Sequence, residues 1–202
     1  ESDPAANLYK LYFVEPGQNQ TAGMDGLIST QPPASNADQV TASALDDDVQ
    51  FMSISMMSTL ELFGRKFFAN ETHYVPVELF LKSEGPQNSN VDWTVSIMTT
   101  ERTLGSTTYS GSVCTASFGS SCDFDHEIID VGIGSSESFD VRKGERLVVK
   151  VRASMSGCDG GDSPFGGSDC TADVAFNRID NEPNKFSKME ANGNALMNSI
   201  IV

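Results

Sequence analysis

Tyr74-Val75-Pro76-Val77-Glu78-Leu79-Phe80-Leu81-Lys82, followed after a polar link by Val91-Asp92-Trp93-Thr94-Val95-Ser96-Ile97, decides the fold class. In the first stretch Val75, Val77, Leu79 and Leu81 fall on one side and Glu78 and Lys82 on the other. In the second, Val91, Trp93, Val95 and Ile97 oppose Asp92, Thr94 and Ser96. A period of two over this length describes β-strands with one buried face. The link, Ser83 to Asn90, consists of turn residues and is too short for a crossover helix, so the two strands are expected to be antiparallel neighbours. Trp93 shares the phase of Val91 and Val95 and is read as a core residue.

Outward from this pair the same signal recurs. Leu147 to Met155 alternates, with Phe139 and Val141 upstream in the same period and Arg142-Lys143-Gly144-Glu145 as the turn between them. Strands are also expected at Leu8 to Val14, Val40 to Ala44, Gln50 to Met57, Thr59 to Phe63, Arg102 to Tyr109 and Val113 to Phe118. Ala172, Val174 and Phe176 alternate, and Ala195 to Val202 closes the chain. Phe124 to Ile133 reads as a continuous apolar run, the pattern of a strand covered on both faces. Met52, Met56 and Met57 read as core filler. About ten short strands without a useful amphipathic helix predict an all-β, antiparallel sandwich. The 202 residues, with 39% hydrophobic content and no composition break, suit one domain.

The balance of 28 acidic against 13 basic residues, a net charge of -15, sets up a negative field that disfavours nucleic acid and anionic lipid and favours divalent cations. No apolar run reaches the ~18 residues of a membrane span. Glu1-Ser2-Asp3-Pro4 lacks an initiator Met, as a processed end would.

Cys114 and Cys122 flank one Ser/Gly-rich segment, and Cys158 and Cys170 flank Asp159 to Asp169. Of three possible pairings the two local ones, Cys114 with Cys122 and Cys158 with Cys170, are expected, giving two disulfide-closed loops and an oxidising, extracellular or cell-surface location. The sequons at Asn19 and Asn70 suit that location as glycosylation positions.

The span Phe51 to Ile97, with Leu60-Glu61-Leu62-Phe63-Gly64 leading into Tyr74 to Leu81 and then Val91-Asp92-Trp93-Thr94-Val95, resembles the jelly-roll accessory domains at the C-terminal end of X-prolyl dipeptidyl peptidases. Related modules occur in secreted prokaryotic, including archaeal, surface proteins. Ser138 to Leu147 resembles the lysine/glycine turn before that family's late strand. The resemblance spans roughly residues 50 to 155 and implies a galactose-binding-like jelly roll. Both cysteine loops and the region before Val40 depart from it.

Chemistry is sparse. There is no G-x-S-x-G elbow, P-loop or H-E-x-x-H helix. His126-Glu127-Ile128-Ile129-Asp130 approaches a metal motif, but on a strand residues 126 and 130 stand about 13 Å apart. His126 is thus expected to face the surface or be satisfied by a neighbour, and His73 to be a loop histidine. With two histidines and no nucleophile motif, an enzyme is not expected. Acidic loops at Asp46-Asp47-Asp48, at Asp123 with Asp125, and at Asp159, Asp162 and Asp169 offer oxygen ligands, and the last set is the candidate for a structural calcium ion. Tyr74 and Phe80 share the outer face of their strand as a candidate ligand-binding aromatic patch.

Two readings of function follow. The first is a non-catalytic extracellular structural protein, a self-associating surface appendage or coat subunit, with residues 1-14 and 195-202 as terminal strands engaged in assembly with copies of itself. The alternative is a carbohydrate-binding or accessory module of a secreted protein, calcium-stabilised, with glycan as partner.

Overall fold

The computed structural model describes residues 9–14, 26–29, 41–42, 51–62, 64–86, 89–115, 122–157, 170–175 and 188–191. Among them are thirteen strands and no helix: β1 (Tyr9–Val14), β2 (Gly26–Ser29), β3 (Thr41–Ala42), β4 (Phe51–Glu61), β5 (Arg65–Phe67), β6 (Thr72–Glu84), β7 (Asn90–Thr99), β8 (Thr103–Ser112), β9 (Asp125–Gly134), β10 (Phe139–Val141), β11 (Arg146–Ser156), β12 (Thr171–Val174) and β13 (Lys188–Ala191).

One sheet runs β3-β12-β6-β13-β1-β2-β4-β11-β7-β8, with β9 on the remaining edge of β6, and β10 pairs β5 separately. Every pair is antiparallel except β2 with β4. The sheet wraps around one apolar core, so that β8 returns against β9 and the whole is sandwich-like. At that seam the Thr107 hydroxyl donates to the Asp130 carbonyl at 3.0 Å. A Cβ on Gly105 would collide with the Gly132 carbonyl, so glycine is what lets the two backbones approach.

The alternating strands bury the residues their phase assigns. Val75, Val77, Leu79 and Leu81 of β6 and Val91, Trp93, Val95 and Ile97 of β7 enter the same core. Their pairing differs from expectation: β6 pairs β9, β12 and β13, whereas β7 pairs β11 and β8. The link is therefore an arch between the two sides of the core and not a hairpin. Two amphipathic strands bury their apolar faces equally well side by side or across a core, so alternation fits both. The arch is pinned where it passes inside. The Ser83 hydroxyl donates to Ser112 O at 3.1 Å and the Ser89 hydroxyl to Gly157 O at 3.0 Å, which satisfies two buried polar groups.

Three further differences have local causes. Residues 51–61 form one strand and not two, because no glycine or proline interrupts Met57-Ser58-Thr59; the expected break appears instead as a bulge, where pairing with β11 passes from Met57↔Val148 to Glu61↔Arg146. β8 ends at Ser112, short of the expected Val113 to Phe118 strand, of which residues 116–118 lie outside the described residues. β9 is covered on one face only: Ile129, Val131 and Ile133 are buried while Ile128 is 62% exposed. Ile128 made the run look continuous although its neighbours alternate.

Arg142 to Glu145 forms the expected turn. Gly144 takes φ +94°, and the Glu145 carboxylate accepts the Arg142 N–H at 2.6 Å. Cys114 and Cys122 are joined, with Cα atoms 5.9 Å apart. Cys170 is buried and disulfide-bonded as well, and Cys158 lies outside the described residues. The N-terminal strand β1 is held on both edges, by β13 and β2, and sends Leu11 and Phe13 into the core. The C-terminal stretch 195–202, Phe176 and Asp46-Asp47-Asp48 fall outside the described residues, as do the side chains of Met52, Met56 and Met57.

Candidate functional site

The outer face of β6, with its neighbours β9 and β12, gathers most of the chemistry. β6 is thirteen residues long, and every second residue from Tyr74 to Lys82 turns away from the core. β9 sets His126, Ile128, Asp130 and Gly132 on that face opposite Phe80, Glu78, Pro76 and Tyr74. β12 sets Asp173 opposite Lys82.

The face changes character along its length. At one end the Tyr74 ring lies over Gly132, and Tyr74 is 65% exposed. Exposed Ile128 follows. In the middle His126 Nε2 lies 2.9 Å from Glu78 Oε1, and its ring stacks on Phe80 with centroids 4.7 Å apart. Phe80 is 6% exposed and packs with Ala175 and Phe124. Tyr74 and Phe80 thus share a face without forming one patch, since Tyr74 is open and Phe80 is covered.

At the far end Lys82 Nζ is 3.1 Å from Asp173 Oδ2 and 3.2 Å from Glu84 Oε1, with the Phe124 ring centroid 5.5 Å away. Asp173 is buried, and its Oδ1 has no hydrogen-bond partner among the described residues. Burial pushes the Asp173 carboxyl above its ordinary range despite the Lys82 ammonium. Burial alone would lower Lys82, but hydrogen bonding to Asp173 and Glu84 and their charges outweigh it and raise the amine.

A second polar site lies at the β8–β9 seam. The Tyr109 hydroxyl donates to Glu127 Oε1 at 2.6 Å in a recess of ≈ 170 Å³ that Trp93, Asp125 and Ser112 also line. Its phenol is pushed up to about 12, first by the hydrogen bond to Glu127 and then by burial. Trp93 itself is 2% exposed, as its phase required. A larger open cleft of ≈ 590 Å³ lies beside β10, where the Arg102 guanidinium sits 5.3 Å from the Phe139 ring centroid.

Asn70 is exposed at a turn with φ +62°, a position open to a glycan, whereas Asn19 lies outside the described residues. The calcium candidates Asp159, Asp162 and Asp169 also lie outside them. Asp123 and Asp125 are exposed, and no three His, Cys, Asp or Glu side chains converge on a metal position among the described residues. His73, expected in a loop, is a half-buried residue of β6, 3.9 Å from Glu71. Among the described residues no helix is long and apolar enough to cross a membrane.

Sequence reasoning missed Lys82 with Asp173 and Tyr109 with Glu127. Each pair joins residues far apart in the chain, and only strand pairing or the seam brings them together. No protein-family model and no curated protein matches the chain.

Proposed function

We propose that the protein is a non-catalytic, extracellular structural protein, a self-associating surface subunit built on a galactose-binding-like jelly roll. The observation that carries this reading is the outer face of β6 and β9, where Tyr74 and Ile128 are 65% and 62% exposed on a regular sheet surface. Large exposed apolar side chains on one sheet face, here on either side of the Pro76–Asp130 pair, suit a protein contact. The disulfide Cys114–Cys122 supports an oxidising location, and we assign the second bond to Cys158 with Cys170. Two copies at net charge -15 repel one another, so assembly through this face requires divalent cations or salt, with Asp159, Asp162 and Asp169 as calcium ligands.

Light scattering of the full chain with and without calcium tests the proposal. Assembly that calcium promotes and that Tyr74→Ser with Ile128→Ser abolishes is expected. A monodisperse 21.7 kDa monomer under all conditions overturns it.

The recess at Tyr109 favours a second reading, a carbohydrate-binding accessory module. Carboxylates of Asp125 and Glu127 beside aromatic edges suit a sugar hydroxyl pair. Retention on immobilised polysaccharide, lost in Tyr109→Ala while the fold persists, would move this reading ahead.

A further inference from the structure

We propose that Lys82 and Asp173 condense to an intramolecular amide that covalently joins β6 to β12, with Glu84 moving the proton. The two residues face one another directly in the antiparallel ladder, and Nζ stands 3.1 Å from Oδ2. The backbone therefore holds nucleophile and carboxyl in place before any reaction, the condition under which intramolecular steps outrun bimolecular ones. This pair is the covalent counterpart of the disulfide at Cys114–Cys122, and the proposal does not rest on self-association.

The surroundings disfavour the Asp173 carboxylate. Asp173 is buried on the outer face of β12 opposite Lys82, whose Nζ lies 5.5 Å from the Phe124 ring centroid, and its second oxygen lacks a partner among the described residues. An ionised carboxylate so placed is under-solvated, and a buried ion pair with incomplete hydrogen bonding gains little from its charges. Proton transfer from Lys82 to Asp173 removes both charges and leaves an amine beside a carboxylic acid. Burial lifts the Asp173 carboxyl in that direction, whereas hydrogen bonds to Asp173 and Glu84 and their charges hold the Lys82 amine protonated, so the neutral pair is the minor form through which the reaction passes.

The step balances without an oxidant or co-reactant. The Nζ lone pair attacks Asp173 Cγ and the C–N bond forms. Glu84, whose Oε1 is 3.2 Å from Nζ, takes a proton from the nitrogen and returns it to the departing oxygen. The Cγ–O bond breaks, one water leaves, and an amide replaces the ion pair. Because both partners meet only in the folded sheet, the reaction follows folding.

The test is the intact mass of the purified full chain, reduced and without glycans, followed by peptide mapping. A mass lower by one water is expected, with the Lys82 and Asp173 peptides joined. Lys82→Arg should show the full mass, and Glu84→Gln should fold yet form the bond roughly 10²-fold more slowly. A folded wild-type chain that keeps its full mass after prolonged incubation overturns the proposal. So does a lost water that persists in Lys82→Arg or maps to a succinimide, as at Asp25-Gly26 or Asp159-Gly160.

Discussion

Replacing Trp93 by alanine measures how much of this fold rests on one side chain. Trp93 sits in the inner row of β7, opposite Ala153 of β11 and Tyr109 of β8, and is 2% exposed. A tryptophan buries up to ~250 Å², which at ~25 cal/mol per Å² corresponds to about 6 kcal/mol as an upper bound. Compactness of the unfolded chain trims this to roughly 4 to 5 kcal/mol. The alanine Cβ retains a little more, and the seam recess next to Trp93 lets water enter the space left behind. We therefore expect Trp93→Ala to cost about 3 to 4 kcal/mol, at the lower end of the range for core aromatics. Urea denaturation followed by far-ultraviolet circular dichroism, with disulfides intact, is the suitable assay because the variant has no tryptophan left to fluoresce. Trp93→Phe should lose distinctly less. A loss below about 1 kcal/mol in the alanine variant would refute the core assignment, since so small a value belongs to a surface site.

Two further outcomes test the seam. Gly105→Ala places a Cβ against the Gly132 carbonyl, backbone that yields only if β8 and β9 separate, so a loss of about 1 to 3 kcal/mol is expected by thermal unfolding; an unchanged midpoint would mean the strands do not approach so closely. Tyr109 has a folded pKa of about 12 against an ordinary 10.0, so its stabilising contribution is complete below pH 10.0 and disappears as pH rises through about 12. The stability difference between wild type and Tyr109→Phe should hold steady at neutral pH and shrink across that window. A difference that stays constant to the top of the window would disconnect the phenol from Glu127.

Local periodicity in the sequence determined the strand character of β6, β7 and β11, the inward row of each, the turn at Gly144 and the burial of Trp93. A side chain's phase along a strand is set by its immediate neighbours, and short-range information suffices for it. The nearby Cys114 and Cys122 were legible for the same reason. Tertiary structure alone decided that β6 and β7 form an arch, that β9 exposes Ile128, and that β1 is enclosed between β13 and β2. It also decided that Lys82 meets Asp173 and Tyr109 meets Glu127. Alternation states that a strand has a face to bury but not which strand lies beside it. That choice is made by long-range burial, where the whole sheet must close around one core, and it places charged and hydroxyl groups from distant segments within reach of one another.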